Sequence, residues 1–235
     1  ASSVSTENKV SEGFVIYEGQ EAVTNTNADT ARRTRNQFVW VPVENPSDMY
    51  GTDKDGKKRG KLYNFSANGI TAKNWTEQDS VISITATSGG SSFREPDIID
   101  ADSSNSVTIS QLETEFNNMI ESVKRYGGFY IGRYETGNLS QEKASIIKNN
   151  SDIGNQTWYT MYKKAKGIAV NNNVTSSMIW GSQWDAAMRW MYNSGNEEKK
   201  KYTYDSRGKG NYSSDSPIAT GSIEAYAVNN IYDMA

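Results

Sequence analysis

No cysteine and no histidine occur anywhere in this chain. Without them there is no imidazole base, no Ser-His or Cys-His pair, no thiolate nucleophile and no Cys/His metal site, which closes off most familiar hydrolase mechanisms. Disulfides are excluded as well. That usage fits a cytosolic protein, or a secreted protein of Gram-positive type, better than a small eukaryotic extracellular module. Leucine is scarce, at Leu62, Leu112 and Leu139 alone. No run approaches the roughly 20 apolar residues of a membrane span, and the residues from Ala1 carry no signal-peptide pattern, so a soluble chain is expected. A net charge of -3 and a pI near 5.2 give no reason to expect nucleic acid or an anionic membrane as partner.

What the chain has in excess is Asn, Ser, Thr and Gly, with 14 tyrosines and 6 tryptophans. Such usage favours strands and polar loops closed around an aromatic core, with few long helices. It also resembles that of bacterial surface proteins, where tyrosine and asparagine serve as exposed hydrogen-bonding contacts. Asn-x-Ser/Thr triplets begin at Asn64, Asn74, Asn138, Asn149, Asn155, Asn173 and Asn211, and we read them as a consequence of composition rather than as glycosylation sites.

Along the chain, residues 1–12 are polar and read as a mobile end. FVIYEG (Phe14 to Gly19) is a short strand, Gln20 to Arg35 a connector, and NQFVWVPV (Asn36 to Val43) a stronger strand, apolar on both faces and closed by Pro42. Residues 44 to 106 are loop-rich, with a turn signal at Asp53 to Gly60 and a Gly/Ser run at Ser88 to Ser92. Ser110 and Glu113 form an S-x-x-E capping box for a helix over 110–126, whose apolar face carries Leu112, Phe116, Met119, Ile120 and Val123. Further helices are predicted over 157–166, with Trp158, Met161, Tyr162 and Ala165 as its stripe, and over 182–192. Glu197 to Lys201 reads as a solvated loop, and residues 202–228 as an irregular tract. Glu95, Asp97, Asp100 and Asp102 read as a solvated acidic loop. There is no internal repeat and no phosphate-cradling Gly-Lys loop.

The stretch GGFYIGRYETG, residues 127–137, poses the sharpest question. Its alternation puts Phe129, Ile131, Arg133 and Glu135 on one side of a strand, so two charges share a face with apolar residues. Charges persist in such a place only when paired and hydrogen-bonded. We therefore expect Arg133 and Glu135 to be buried polar anchors tying loops to the framework.

Taken in order, NQFVWVPV, REPDIID, GGFYIGRYETG, TWYTMYKKAKGIA, VTSSMIWGSQWDAAMRWM and NNIYDMA resemble the motif series of the formylglycine-generating, sulfatase-modifying family. The resemblance implies an α+β, C-type-lectin-like fold: a small twisted, mostly antiparallel sheet with two to three helices and long loops. It divides the chain into an N-terminal strand and connector, 1–35, and a family-like domain, 36–235, with an insertion of about 44–126. The chain stops at NNIYDMA, where the family continues with a Gly-Asn-x-x-Glu-Trp stretch and further strands that carry, in the true enzymes, the active cysteine pair. The domain is thus expected to be incomplete at its C-terminus, with a partner strand or chain completing the sheet.

The long Asn/Tyr-rich insertion resembles the non-catalytic bacterial and phage branch, which displays variable binding loops on a rigid scaffold. That implies an adhesion-type domain binding a protein or glycan ligand, located outside the cell or on a bacterial or phage surface, and no enzyme. A structural subunit of a surface filament or pilus-like assembly, and an oxidase acting on peptidyl cysteine, are the alternatives. Tyr202, Tyr204, Tyr212 and Tyr226 lie in the irregular tract before NNIYDMA and are the expected ligand-facing residues. Trp40, Trp158, Trp184 and Trp190 are expected in the core. No cofactor is expected apart from calcium, which the resemblance suggests at Asp233 with its other ligands beyond Ala235.

Overall fold

Alternation fixes the central strand. In QFVWVP the residues Gln37, Val39 and Val41 are buried while Phe38, Trp40 and Pro42 are half-buried, as side chains pointing to opposite faces require. The computed structural model describes residues 2–52, 56–72, 107–137, 146–148, 157–168, 173–205, 207 and 218–234. The Ser88 to Ser92 run, the acidic residues Glu95 to Asp102, and Tyr212 lie outside them, as does part of the turn at Asp53 to Gly60.

Strand β2 (Gln37–Pro42) sits between β1 (Val15–Tyr17) and the later strand β7 (Gly128–Gly132), both antiparallel to it. Between β2 and β7 come two hairpins, β3 (Tyr50–Thr52) with β4 (Lys58–Gly60) and β5 (Tyr63–Ser66) with β6 (Gly69–Ala72), and helix α2 (Ile109–Tyr126). The remaining elements are α1 (Ala28–Thr34), α3 (Trp158–Lys166), α4 (Gly181–Tyr192), α5 (Glu197–Tyr202) and a last hairpin, β8 (Ala227–Val228) with β9 (Ile231–Tyr232). The class is α+β with small antiparallel sheets. Among the described residues no helix is long and apolar enough to cross a membrane.

Helix α2 follows the predicted face: Leu112, Phe116, Ile120 and Val123 are buried. Its start differs. The N-cap is Thr108, whose side chain accepts from the Gln111 N–H while the Gln111 side chain accepts from Thr108 N, a capping box two residues ahead of the one expected. Glu113 is drawn away by cations instead, pairing with Lys57 at 2.9 Å and Arg59 at 3.0 Å. Gly127 ends the helix in the left-handed region, φ 76°, and the chain turns directly into β7. Sheet and helices share one core, in which Val39, Val41 and Phe129 meet Phe116, Ile120 and Val123 of α2 and Ala187, Met188 and Met191 of α4. The stretch 44–126 therefore contributes α2 to the main core and not only surface loops.

Three readings are corrected. Residues 2–13 are not a loose end: Ser2 pairs with Val23 in a parallel bridge, Val4 joins the core and Glu7 is wholly buried. The connector contains α1, whose Ala28 and Ala31 are buried. The EEKKK run is a short helix, because Asn196 caps it by accepting from the Lys199 N–H and its acids precede its bases along the helix dipole.

Candidate functional site

An arginine in an apolar strand demands an anion, and the fold supplies it from far away in sequence. Strand β7 ends at Gly132, so Arg133 opens the bend that follows. Its N–H donates to Gln37 O at 3.0 Å and its carbonyl accepts from the Tyr232 N–H at 2.9 Å, which fixes the backbone between β2 and β9. The guanidinium then points inward. Its side chain is 3% exposed and meets Glu7, which is 0% exposed, at 2.8 Å.

Glu7 is the centre of this cluster. Oε1 accepts from Arg133 and from both Nε and Nη2 of Arg32, at 3.1 and 2.6 Å, while Oε2 accepts from the Tyr17 hydroxyl at 2.9 Å. Arg133 Nη1 also reaches Gln37 Oε1 and the Tyr17 hydroxyl, and Nη2 reaches Asn230 Oδ1 at 3.2 Å. The rings of Tyr134 and Tyr232 flank the guanidinium at 5.5 and 5.7 Å, contacts that favour a cation over an aromatic face. Burial alone would raise the Glu7 pKa, but the Arg133 charge and the hydrogen bonds from Arg32 and Arg133 hold it below the ordinary range. Closed from water and neutralised from both sides, this carboxylate fastens segments together and has no access to a substrate.

The last hairpin completes the closure. Asn229 and Asn230 both have positive φ, 50° and 62°, as a two-residue hairpin turn with right-handed strand twist requires. Asn230 Nδ2 lies 2.7 Å from Thr6 O and 2.9 Å from Gly13 O, so the turn is held against the N-terminal segment. Gly13 is needed there. Its φ is 93°, and a β-carbon would come 1.9 Å from Asn229 O.

Glu135 lies beyond the bend, half-buried and partnered. The expected ligand-facing tyrosines do not form one exposed group. Tyr202 is a core residue, 4% exposed at the end of α5, and its hydroxyl donates to Tyr226 O at 3.2 Å. Burial pushes its pKa up to about 12. Its place on the inner side of a capped helix, rather than in an irregular tract, corrects the expectation of exposure. Tyr204 and Tyr226 are half-buried beside it. Of the tryptophans, Trp158, Trp184 and Trp190 are partly buried against the apolar clusters, while Trp40 is half-buried on the other face of β2, edge-on to Tyr130. An open depression of about 390 Å³ at this end is lined by Glu198, Lys201, Tyr202, Asp205 and Arg207, with Arg207 forked onto Asp205 at 2.7 and 3.1 Å.

Asp233 is buried, with φ 58°. Oδ2 accepts from the Gly221 N–H at 2.8 Å, and Oδ1 has no hydrogen-bond partner among the described residues. Calcium takes about six to eight oxygen ligands, and among the described residues no three His, Cys, Asp or Glu side chains gather to hold a metal ion. Burial raises the Asp233 pKa above 3.8, only partly offset by the Gly221 N–H. With its folded value raised, the ionised carboxylate weakens the fold at pH above that value, and the penalty fades as pH falls toward 3.8. Asp233→Asn is therefore expected to gain on the wild type in urea unfolding as pH rises from acid to neutral. A stability difference independent of pH would contradict this.

Sequence reasoning found Arg133 but not Glu7, Arg32, Tyr17, Gln37 or Asn230, which surround it. The one signal was the arginine itself, which required a carboxylate without saying where. Comparison of the chain with protein-family models, with curated proteins and with solved structures finds no match.

Proposed function

We propose that this chain is a surface-exposed binding domain, in which a C-type-lectin-like frame of the formylglycine-generating type carries variable, Asn- and Tyr-rich loops toward a protein or glycan ligand outside a bacterial cell or on a phage. The observation that supports it is the division of labour around Glu7. One buried carboxylate joins the N-terminal segment, α1, β1 and the residue after β7, and through Arg133 reaches β2 and the last hairpin. The charge chemistry visible at the centre is spent on rigidity, which is what precise display of loops needs.

The ligand face is the end of the frame bearing Tyr204 and Tyr226, from which residues 206–217, including Tyr212, connect α5 to the last hairpin. The Tyr226 carbonyl is fixed by the Tyr202 hydroxyl and accepts from Asp233 N, so this end is anchored where the loop returns. Calcium belongs to this reading only through Asp233 Oδ1.

A glycan and protein array should yield a ligand whose binding disappears when residues 206–217 are replaced by a Gly/Ser linker, with the unfolding midpoint unchanged. Binding that survives the replacement would move the ligand face elsewhere. Conversion of a cysteine-containing peptide to formylglycine would overturn the binding reading.

A further inference from the structure

Among the described residues the hydrogen-bond register leaves one edge of the sheet unpaired. Arg133 N donates to Gln37 O and Val43 N to Gly127 O, so the odd-numbered residues of β7 face β2 and the even-numbered ones face away. The N–H and C=O groups of Gly128, Tyr130 and Gly132 thus point away from β2, and they take no backbone partner among the described residues; Tyr130 is exposed, Gly132 half-buried and Gly128 buried. Tyr130 is 43% exposed and Tyr126, just before the strand, 64%. Sheet edges are ordinarily guarded by charge, proline or a bulge. Gly-Phe-Tyr-Ile-Gly has none of these.

We propose that β7 pairs with β7 of a second copy of this chain, antiparallel and centred on Tyr130, joining two three-stranded sheets into one of six strands. The segment is suited to meet itself. A two-fold axis at Tyr130 sets Gly128 of one copy against Gly132 of the other, Phe129 against Ile131 and Tyr130 against Tyr130, so no like charges are opposed. On the open face Tyr130 already stacks edge-on against Trp40, centroids 5.0 Å apart, and the pairing extends this into a ladder of four rings. The charges outside the strand are complementary. The last turn of α2 carries Lys124 and Arg125, and the two-fold brings it toward the end where the other chain runs on to Glu135. The pairing does not depend on which ligand the loops take.

Sedimentation equilibrium of residues 1–235 should show a dimer that dissociates on dilution. Tyr130→Lys and Tyr130→Glu should each weaken it by about tenfold or more, since each places like charges directly opposite. An equimolar mixture of the two should restore a dimer, because lysine then faces glutamate. A chain monomeric at every accessible concentration, a dimer indifferent to both substitutions, or a mixture that stays monomeric overturns the proposal. Amide exchange of the wild type gives a reading that needs no variant: the Tyr130 and Gly132 N–H groups should exchange more slowly as concentration rises, and concentration-independent exchange there likewise overturns it.

Discussion

Glu7→Gln is expected to lower the unfolding free energy by about 3–5 kcal/mol, the usual cost of removing one partner from a buried ion pair. Glutamine keeps the shape and one acceptor, so the loss comes from charge. Arg32 retains some exposure, with a side chain 25% accessible, and water can take over part of its solvation. Arg133 cannot be rescued in that way, because its side chain is 3% exposed and its remaining neighbours, Gln37, Tyr17 and Asn230, are neutral. The difference should depend on pH with a definite sign. The folded Glu7 pKa lies below the ordinary 4.5, so the stability it contributes is fully present above 4.5 and is lost as pH falls through the depressed folded value. Urea unfolding of the two proteins should therefore differ most near neutral pH and converge in acid. Equal midpoints at neutral pH would mean that the carboxylate contributes nothing net.

Gly13→Ala is expected to cost about 3 kcal/mol or more, from two causes acting together. A φ of 93° is poorly tolerated by any residue with a β-carbon. The added carbon would also lie 1.9 Å from Asn229 O, a backbone atom in a two-residue turn that cannot move aside without opening the hairpin. The hairpin should loosen with it. Amide exchange of Tyr232, whose N–H donates to Arg133 O, should accelerate in the variant along with that of Val15, whose N–H donates to Glu7 O. Thermal unfolding within about 0.5 kcal/mol of the wild type would show that the turn yields freely.

These two predictions rest on residues the sequence treats very differently. The helices were legible because their apolar spacing repeats: Phe116, Ile120 and Val123 announce α2, and Ala187, Met188 and Met191 announce α4. Strands β1, β2 and β7 were legible from β-branched and aromatic runs. The N-cap of α2 lies two residues ahead of the expected one, because Thr108-Gln111 and Ser110-Glu113 are both sound capping pairs and Glu113 is taken up by ion pairs with Lys57 and Arg59. Helix α5 was missed because six residues carry little periodicity and its charges resemble a solvated loop. Tyr202 was misplaced with it.

Arg133 was legible as a problem and Glu7 was not legible as its solution. A lone glutamate between Thr6 and Asn8 has no pattern around it, and its burial follows from contacts made across 126 positions of sequence. Gly13 and Asn229 are a similar case. A glycine in a polar stretch and a paired asparagine each suggest a turn, but nothing in either suggests that the two turns touch. Long-range closure of this kind is written in the fit between segments rather than within any one of them.

Glu7 and Arg133 act as a pair that locks the two ends of the described chain onto one frame. A double-mutant cycle tests it most directly, with equilibrium denaturant unfolding of wild type, Glu7→Gln, Arg133→Met and the double variant at neutral pH. The double variant is expected to be more stable than the sum of the single losses allows, by about 1–3 kcal/mol, since it strands no charge of this pair. Losses that add to within about 0.5 kcal/mol would show that the two side chains are energetically independent, and would contradict the claim.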